Sequence, residues 1–114
     1  MAIRIKRVYE QPDKSDGKRI LIDRLWPRGL NKDKAKVDLW IKDISPSTEL
    51  RKWFSHDPDK WPEFNKRYQK ELDANEPAVS KIKDELNQGP AMLVYSAKDE
   101  QHNDAVALQS YLSK

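Results

Sequence analysis

Two short runs of consecutive apolar residues constrain the fold of this chain most strongly. One is Ile-Leu-Ile at residues 20–22, inside the segment 19–25, and the other is Met-Leu-Val-Tyr at residues 92–95. Strands that are apolar at every position are typical of sheets covered on both faces. We therefore predict two buried central strands, over residues 19–25 and 92–95.

The other segments supply one outer strand and several helices. Residues 1–9 alternate apolar and charged side chains, which predicts a half-exposed strand at or near a sheet edge. Residues 31–44 fit both a strand and a helix, and we favour a helix. Trp61, Phe64, Tyr68 and Leu72 recur at helical spacing on one face. Helices are predicted to begin at Ser45 or Ser47, at Asp59, at Asn75 or Glu76, and at Asp99.

Buried strands separated by helices predict an α/β fold. We expect one small layered domain over residues 1–114, with a mainly parallel sheet of three to four strands and about four to five flanking helices. The 114 residues are too few for two cores. The chain has no cysteine and no long apolar segment, so we expect a cytoplasmic protein without a membrane span. We also expect a monomer or weak homodimer.

The charge is distributed unevenly along the chain. Residues 1–36 contain eleven Lys and Arg against five Asp and Glu, whereas the rest contains eleven against fourteen. A basic first third is compatible with a nucleic-acid partner, and equally with a solvated charged surface. The candidate phosphate contacts are Arg4, Lys6, Arg7, Lys18, Arg19, Arg28, Lys32, Lys34 and Lys36.

Polar residues follow each of the two predicted central strands. Ligands of open α/β sheets bind beyond the carboxyl ends of the strands, so we expect these residues to share a pocket. After the first strand, Arg24 and Arg28 are candidates to bind an anionic ligand and Trp26 to stack on it. The alternative is that Asp23 and Arg24 satisfy each other or nearby backbone and that Trp26 is part of the core.

The residues after the second strand add candidates for chemistry. Ser96 is a candidate nucleophile, His102 a proton shuttle, and Asp23 a base for Ser96 or an orienting group for His102. Lys98 and Asn103 are candidate ligand contacts. The alternative is that Ser96 and Asp99 cap a helix while the other side chains are solvated.

No cofactor or metal is expected. His56 with Asp57 and Asp59 is a third polar cluster, but one His and two close carboxylates do not make a complete ligand set. We expect a capped helix turn there. Four Trp in so polar a chain also permit an interaction protein with exposed indoles as a further alternative.

Four segments together resemble a known family. They are Lys-Arg-Val-Tyr at 6–9, Asp-Arg-Leu-Trp-Pro-Arg-Gly at 23–29, Pro-Ser-Thr-Glu-Leu-Arg at 46–51 and Tyr-Ser-Ala-Lys at 95–98. The chain is similar over nearly its whole length to the YeaO-like proteins of domain of unknown function 488 (DUF488). The resemblance implies an α/β fold and assigns no settled activity, so a hydrolase or transferase remains an open alternative.

Longer members of the wider family carry a Cys-Ala-Glu and then a Cys-His-Arg pattern at the last strand. The correspondence implies that Ser96 stands in place of a Cys, Lys98 in place of a Glu and Asn103 in place of an Arg, while His102 matches. These departures weaken any carry-over of thiol or metal chemistry. We expect a pocket for a small phosphorylated or nucleotide-like anion, with or without catalysis.

Overall fold

The computed structural model describes residues 3–113 as a four-stranded, wholly parallel sheet with five α-helices. The strand order is β1-β4-β2-β3. This architecture confirms the predicted α/β fold. The elements are β1 (Arg4–Arg7), β2 (Lys18–Leu21), α1 (Lys32–Ala35), β3 (Leu39–Trp40), α2 (Thr48–Phe54), α3 (Trp61–Asp73), α4 (Glu76–Asn87), β4 (Ala91–Tyr95) and α5 (Asp104–Leu112).

The two apolar runs form the centre of the sheet, as predicted. β4 pairs with β1 on one side and with β2 on the other, and β1 is an edge strand. Alternate residues enter different cores: Ile20 packs into the larger cluster with α2 to α5, and Leu21 into a smaller cluster on the opposite face. Both faces are therefore covered, which explains why the runs at 20–22 and 92–95 are apolar at every position.

The predicted end of the second strand was too late. β2 ends at Leu21, not at residue 25. The amide of Ile22 still donates to the Val94 carbonyl. The chain then leaves the sheet, and the Asp23 side chain binds Ser96, the residue that follows β4. Residues 23–30 thus form a loop beyond the sheet.

The predicted helix over residues 31–44 is wrong for most of that segment. The segment contains one α-helical turn, α1, which ends where Lys36 adopts a left-handed conformation with φ of 51°, and a short 3₁₀ turn at residues 42–44. The chain then forms β3, whose flanking amides, of Asp38 and Ile41, donate to carbonyls of β2. Pairing of the open edge of β2 satisfies backbone groups that a longer helix would leave bare.

Several helices begin at capping residues other than the predicted ones. Ser47 caps α2, as one of the two predicted alternatives. Asp57, not Asp59, caps a short turn that leads into α3. Asn103, not Asp99, caps α5, because the Asp99 carboxylate instead accepts from amides two and three residues later in a separate turn. The buried face of α3, with Phe64, Tyr68 and Leu72, is as predicted.

Candidate functional site

The carboxyl ends of β2 and β4 open into one cleft of about 680 Å³. That volume lies within the range of small-molecule sites in proteins. The structure brings all eight predicted site residues to its walls, and the roles assigned to them stay predictions. These residues are Asp23, Arg24, Trp26, Arg28, Ser96, Lys98, His102 and Asn103.

Asp23 and Ser96 join the two strand ends directly. The Asp23 Oδ2 atom accepts from the Ser96 amide at 2.8 Å and from the Ser96 hydroxyl at 2.7 Å. The hydroxyl therefore has a carboxylate within the reach that a general base requires. The same carboxylate is already engaged by the amide, so the contact also serves as a link between the loop after β2 and the end of β4.

The carboxyl group of Asp104 lies in the same part of the cleft, and it was not predicted from the sequence. Asp104 is the first residue of α5 and lies against Asp23. Burial raises the pKa of the Asp104 carboxyl well above its usual value, and the charge and hydrogen bonding of Asp23 raise it further. The raised pKa favours the neutral form of Asp104 beside Asp23. The signal in the sequence was Asn103-Asp104, a capping residue followed by an acidic first turn.

His102 is oriented by Asp99, not by Asp23. Its Nδ1 lies 3.0 Å from Asp99 Oδ2, and its ring meets the Trp61 ring edge-on at 5.3 Å between centroids. Hydrogen bonding to the Gln101 amide, and then to His102, lowers the pKa of the Asp99 carboxyl despite some desolvation. An ionised Asp99 fixes the proton on Nδ1 and leaves Nε2 as the acceptor.

Four cationic side chains line the cleft without a carboxylate partner. Within residues 3–113, none of Arg24, Arg28, Arg51 and Lys98 has a carboxylate within 4.0 Å. The Arg24 Nε is buried and has no hydrogen-bond partner, while its Nη2 makes a long contact of 3.4 Å to the Pro46 carbonyl. Asp23 and Arg24 do not bond to each other. Each contacts nearby backbone instead, the Ser96 amide and the Pro46 carbonyl respectively.

Sequence reasoning did not select Arg51 or His56 for this site. Arg51 lies on α2, and His56 follows α2 in a left-handed conformation with φ of 57°. Both reach the cleft because α2 packs beside the strand ends. The only hint was the segment 46–51, which contributed to the family resemblance without a role of its own.

Two of the predicted ligand contacts have internal partners. The indole of Trp26 donates to the Leu30 carbonyl at 2.6 Å and packs edge-on against Trp40 in the smaller core cluster. The Asn103 side chain is buried, donates to the Asp99 carbonyl and accepts from the Val106 amide. Both residues therefore shape the wall of the cleft through bonds that the protein makes to itself.

The basic residues of the first third are divided between internal and free positions. Arg4, Lys6, Arg7, Lys18 and Arg19 all donate to protein carbonyls or carboxylates. Fewer charges are thus left for phosphates than the composition implied, namely Arg28, Lys32, Lys34 and Lys36, which are exposed. All four Trp side chains are half-buried.

Two general features concern residues 3–113. No group of three or more His, Cys, Asp or Glu side chains in this part of the chain is arranged to hold a metal ion. None of its helices has the length and apolar character needed to cross a membrane.

Comparison with known proteins assigns the family. A model described as "Inactive DUF488-N3 subclade" matches residues 2–114. The uncharacterized protein YeaO of Escherichia coli (strain K12) is 43% identical over 112 residues, which is 98% of this chain and 97% of that protein. An uncharacterized protein of Mycobacterium tuberculosis (strain H37Rv) is 51% identical over 70 residues, or 61% of this chain.

The match with the mycobacterial relatives covers 59% of their length. No solved structure matches the chain. The family match covers nearly every residue and agrees with the resemblance noted in the sequence. The chain therefore belongs to the YeaO-like DUF488 family, in the subclade described as inactive DUF488-N3.

Proposed function

We propose that this protein binds a small phosphorylated or otherwise anionic ligand in the cleft and does not turn it over. The observation that carries the proposal is the set of four unpaired cations at one site, Arg24, Arg28, Arg51 and Lys98. Like charges gathered in one concavity repel each other, and an anionic ligand removes that repulsion. The cytoplasm, predicted from the sequence, is where such a ligand would be met.

The carboxylates of the cleft support an anionic ligand as well. Asp99 is paired with His102, and the raised pKa of Asp104 disfavours its charged form. Four cationic side chains face three Asp side chains across the lining. The cleft thus keeps a positive balance although it contains three Asp side chains.

The orphaned donor of Arg24 supports a bound acceptor at a defined point. A buried N–H group without a partner costs about 1–3 kcal/mol. An oxygen of a phosphate or carboxylate near Arg24 Nε recovers that cost and gains a charge-assisted hydrogen bond. A neutral ligand would not neutralise the other three cations.

The absence of turnover is supported by the state of the only hydroxyl-carboxylate pair among the predicted catalytic residues. Asp23 Oδ2 accepts both hydrogen bonds from Ser96, one from its amide and one from its hydroxyl. The contact therefore links the two strand ends, a role that needs no chemistry. The family description as an inactive subclade points in the same direction.

Titration with inorganic phosphate and ribose 5-phosphate, followed by two-dimensional amide NMR, tests the proposal. We expect saturable shifts centred on residues 23–28, 51 and 96–104. Arg24→Met and Arg51→Met should each weaken binding about tenfold or more, because each loses a charged hydrogen bond. Lys81→Met is the matched control, since Lys81 is an exposed cation on α4 outside the cleft.

The outcomes separate the alternatives. Unsaturable shifts, shifts spread over the surface, or equal weakening by the Lys81 variant would contradict the proposal. Release of inorganic phosphate from ribose 5-phosphate, monitored by ³¹P NMR and abolished by Ser96→Ala, would instead identify a hydrolase. Both variants of the cleft remain measurable because neither arginine has a carboxylate partner to lose.

A further inference from the structure

The large apolar side chains that remain exposed lie at the cleft. In the part of the chain that the structure describes, only Tyr9 and Leu25 combine a large apolar side chain with high exposure, at 40% and 65%. Both line the same cleft as the four cations. Leu25 is therefore solvated at the one place where a ligand could cover it, although other large apolar residues are buried or half-buried.

Tyr9 is held in a fixed position. Its hydroxyl donates to the Arg28 carbonyl at 2.8 Å, and the Arg7 guanidinium lies over its ring at 5.0 Å from the centroid. Arg7 is itself anchored, because it donates to the Ala97 and Ser96 carbonyls after β4. A ring that is already immobilised loses little conformational entropy when a ligand stacks on it.

The same hydrogen bond brings the backbone of Arg28 to the Tyr9 hydroxyl. Arg28 lies at the tip of a turn in which the Leu30 amide approaches the Pro27 carbonyl and Gly29 takes a φ of 84°. Positive φ at the third position is typical of a type II turn, which exposes the second residue, here Arg28. Tyr9 and the exposed Arg28 thus border the same edge of the cleft.

Trp26 is less suited to this role than its sequence position suggested. Its indole N–H is used by Leu30, and its ring packs against Trp40 and the smaller core. Moving it toward a ligand would break both contacts. The accessible apolar surface for a planar group is that of Tyr9 and Leu25.

We propose that Tyr9 and Leu25 form a clamp for the base of a nucleoside monophosphate whose phosphate lies among the cleft cations. This inference rests on the proposed function and adds the class of ligand to it. A base fits the apolar clamp through its planar face, and a phosphate supplies the negative charge that the four cations of the same cleft lack. The cleft volume of about 680 Å³ accommodates such a ligand.

The test compares adenosine 5′-monophosphate with ribose 5-phosphate by isothermal titration calorimetry. The two probes share the phosphate and the ribose and differ in the base. We expect the wild-type chain to bind the nucleotide about tenfold more tightly, since stacking of one base on an aromatic side chain commonly contributes at least that factor. Tyr9→Ala and Leu25→Ala should remove most of the difference and leave the affinity for ribose 5-phosphate within about twofold.

Two variants serve as controls for the clamp. Tyr9→Phe keeps the ring and loses only the bond to Arg28, so it should retain most of the preference for the nucleotide. Leu25→Met keeps an apolar side chain at a solvent-exposed position and should also retain it. Thermal melting of each variant verifies that the fold is intact.

Each result of the comparison has one meaning. Equal binding of both probes by the wild-type chain overturns the clamp and leaves the anion site standing. Binding of neither probe overturns the proposed function and the clamp with it. A preference for the nucleotide that survives both alanine substitutions also overturns the clamp, because the base must then lie elsewhere.

Discussion

Two regions of the molecule contain Asp and Arg side chains in opposite states. One is the Asp16 network, formed by Asp16, Arg19 and Lys6, and the other is the cleft. In the Asp16 network, Asp16 and Arg19 are each only 2% exposed, and Arg19 Nη1 lies 2.9 Å from the Asp16 carboxylate. Lys6 binds the other carboxylate oxygen at 3.1 Å. In the cleft, Arg24 leaves a buried donor without a partner, and burial together with the neighbouring Asp23 raises the pKa of Asp104.

The difference shows which polar groups stabilise the fold and which are left for a ligand. Burial would raise the pKa of Asp16, but hydrogen bonds from Lys6, from the Asp13 backbone and from Arg19 lower it, so this carboxyl is ionised and fully partnered. The pKa of Asp104 in the cleft shifts in the opposite direction. Arg19 in the buried network donates to groups of the protein itself, whereas the Arg24 Nε at the cleft has no acceptor in the described chain.

The largest expected effect is at Arg19. Arg19→Met removes one partner of a buried ion pair and the donor to the Ala35 and Val8 carbonyls, so it should cost about 3–5 kcal/mol of unfolding free energy. Urea denaturation of the variant and the wild-type chain measures the cost. A loss below about 1 kcal/mol would mean that the network contributes little.

The double variant Arg19→Met with Asp16→Asn is the control for that prediction. It removes both partners of the pair, and Lys6 then loses its carboxylate partner as well. We expect its loss to be at least ~1 kcal/mol smaller than the sum of the losses of Arg19→Met and Asp16→Asn measured singly, because the two side chains interact directly. If the two losses simply add, the pairing of Asp16 with Arg19 is not the source of the stability.

The next effect is at Asp104 and has a defined dependence on pH. The unfolded carboxyl titrates near 3.8, whereas the folded one titrates at a higher pKa, so folding takes up a proton between these two values. Stability contributed by Asp104 is therefore full below pH 3.8 and is lost as pH rises through the folded pKa. Asp104→Asn should raise Tm at pH 7 by about 4 °C, the shift that ~1 kcal/mol produces in a small domain.

The pH profile distinguishes this cause from a general improvement of packing. The difference in Tm between Asp104→Asn and the wild-type chain should shrink toward zero as pH falls below 3.8, where Asp104 becomes protonated in both the folded and the unfolded state. Asp16 acts with the opposite sign, because its lowered pKa makes both proteins lose stability as pH falls below 3.8. A Tm difference that stays constant with pH would contradict the raised pKa of Asp104.

Much of the fold was predictable because the strongest signals are local. The apolar runs at 20–22 and 92–95 fixed two central strands, and the spacing of Phe64, Tyr68 and Leu72 fixed α3. β3 was not predictable, because two residues carry too little pattern to separate a strand from a helix. Its formation depends on the open edge of β2, which is a tertiary property.

Site residues that directly follow strands were predictable, whereas site residues that lie on helices were not. Asp23 and Ser96 come directly after strands, so the parallel sheet brings them together. Arg51 enters the cleft from α2, and its position depends on how that helix packs. Asp104 was missed because α5 was predicted to begin at Asp99, whereas it begins five residues later, at Asp104.

The smallest expected effect is the sharpest test of the comparison between the two regions. Arg24→Met deletes a guanidinium, as Arg19→Met does, but at the cleft it removes an unpartnered buried donor and one long contact to the Pro46 carbonyl. We expect the unfolding free energy to change by less than about 0.5 kcal/mol, or to increase, since an unsatisfied polar group is lost while an apolar stem is kept. Urea denaturation without ligand measures it under the same conditions as for Arg19→Met. A loss comparable to that of Arg19→Met would show that Arg24 is a structural residue, and the cleft would then hold one cation fewer for an anion.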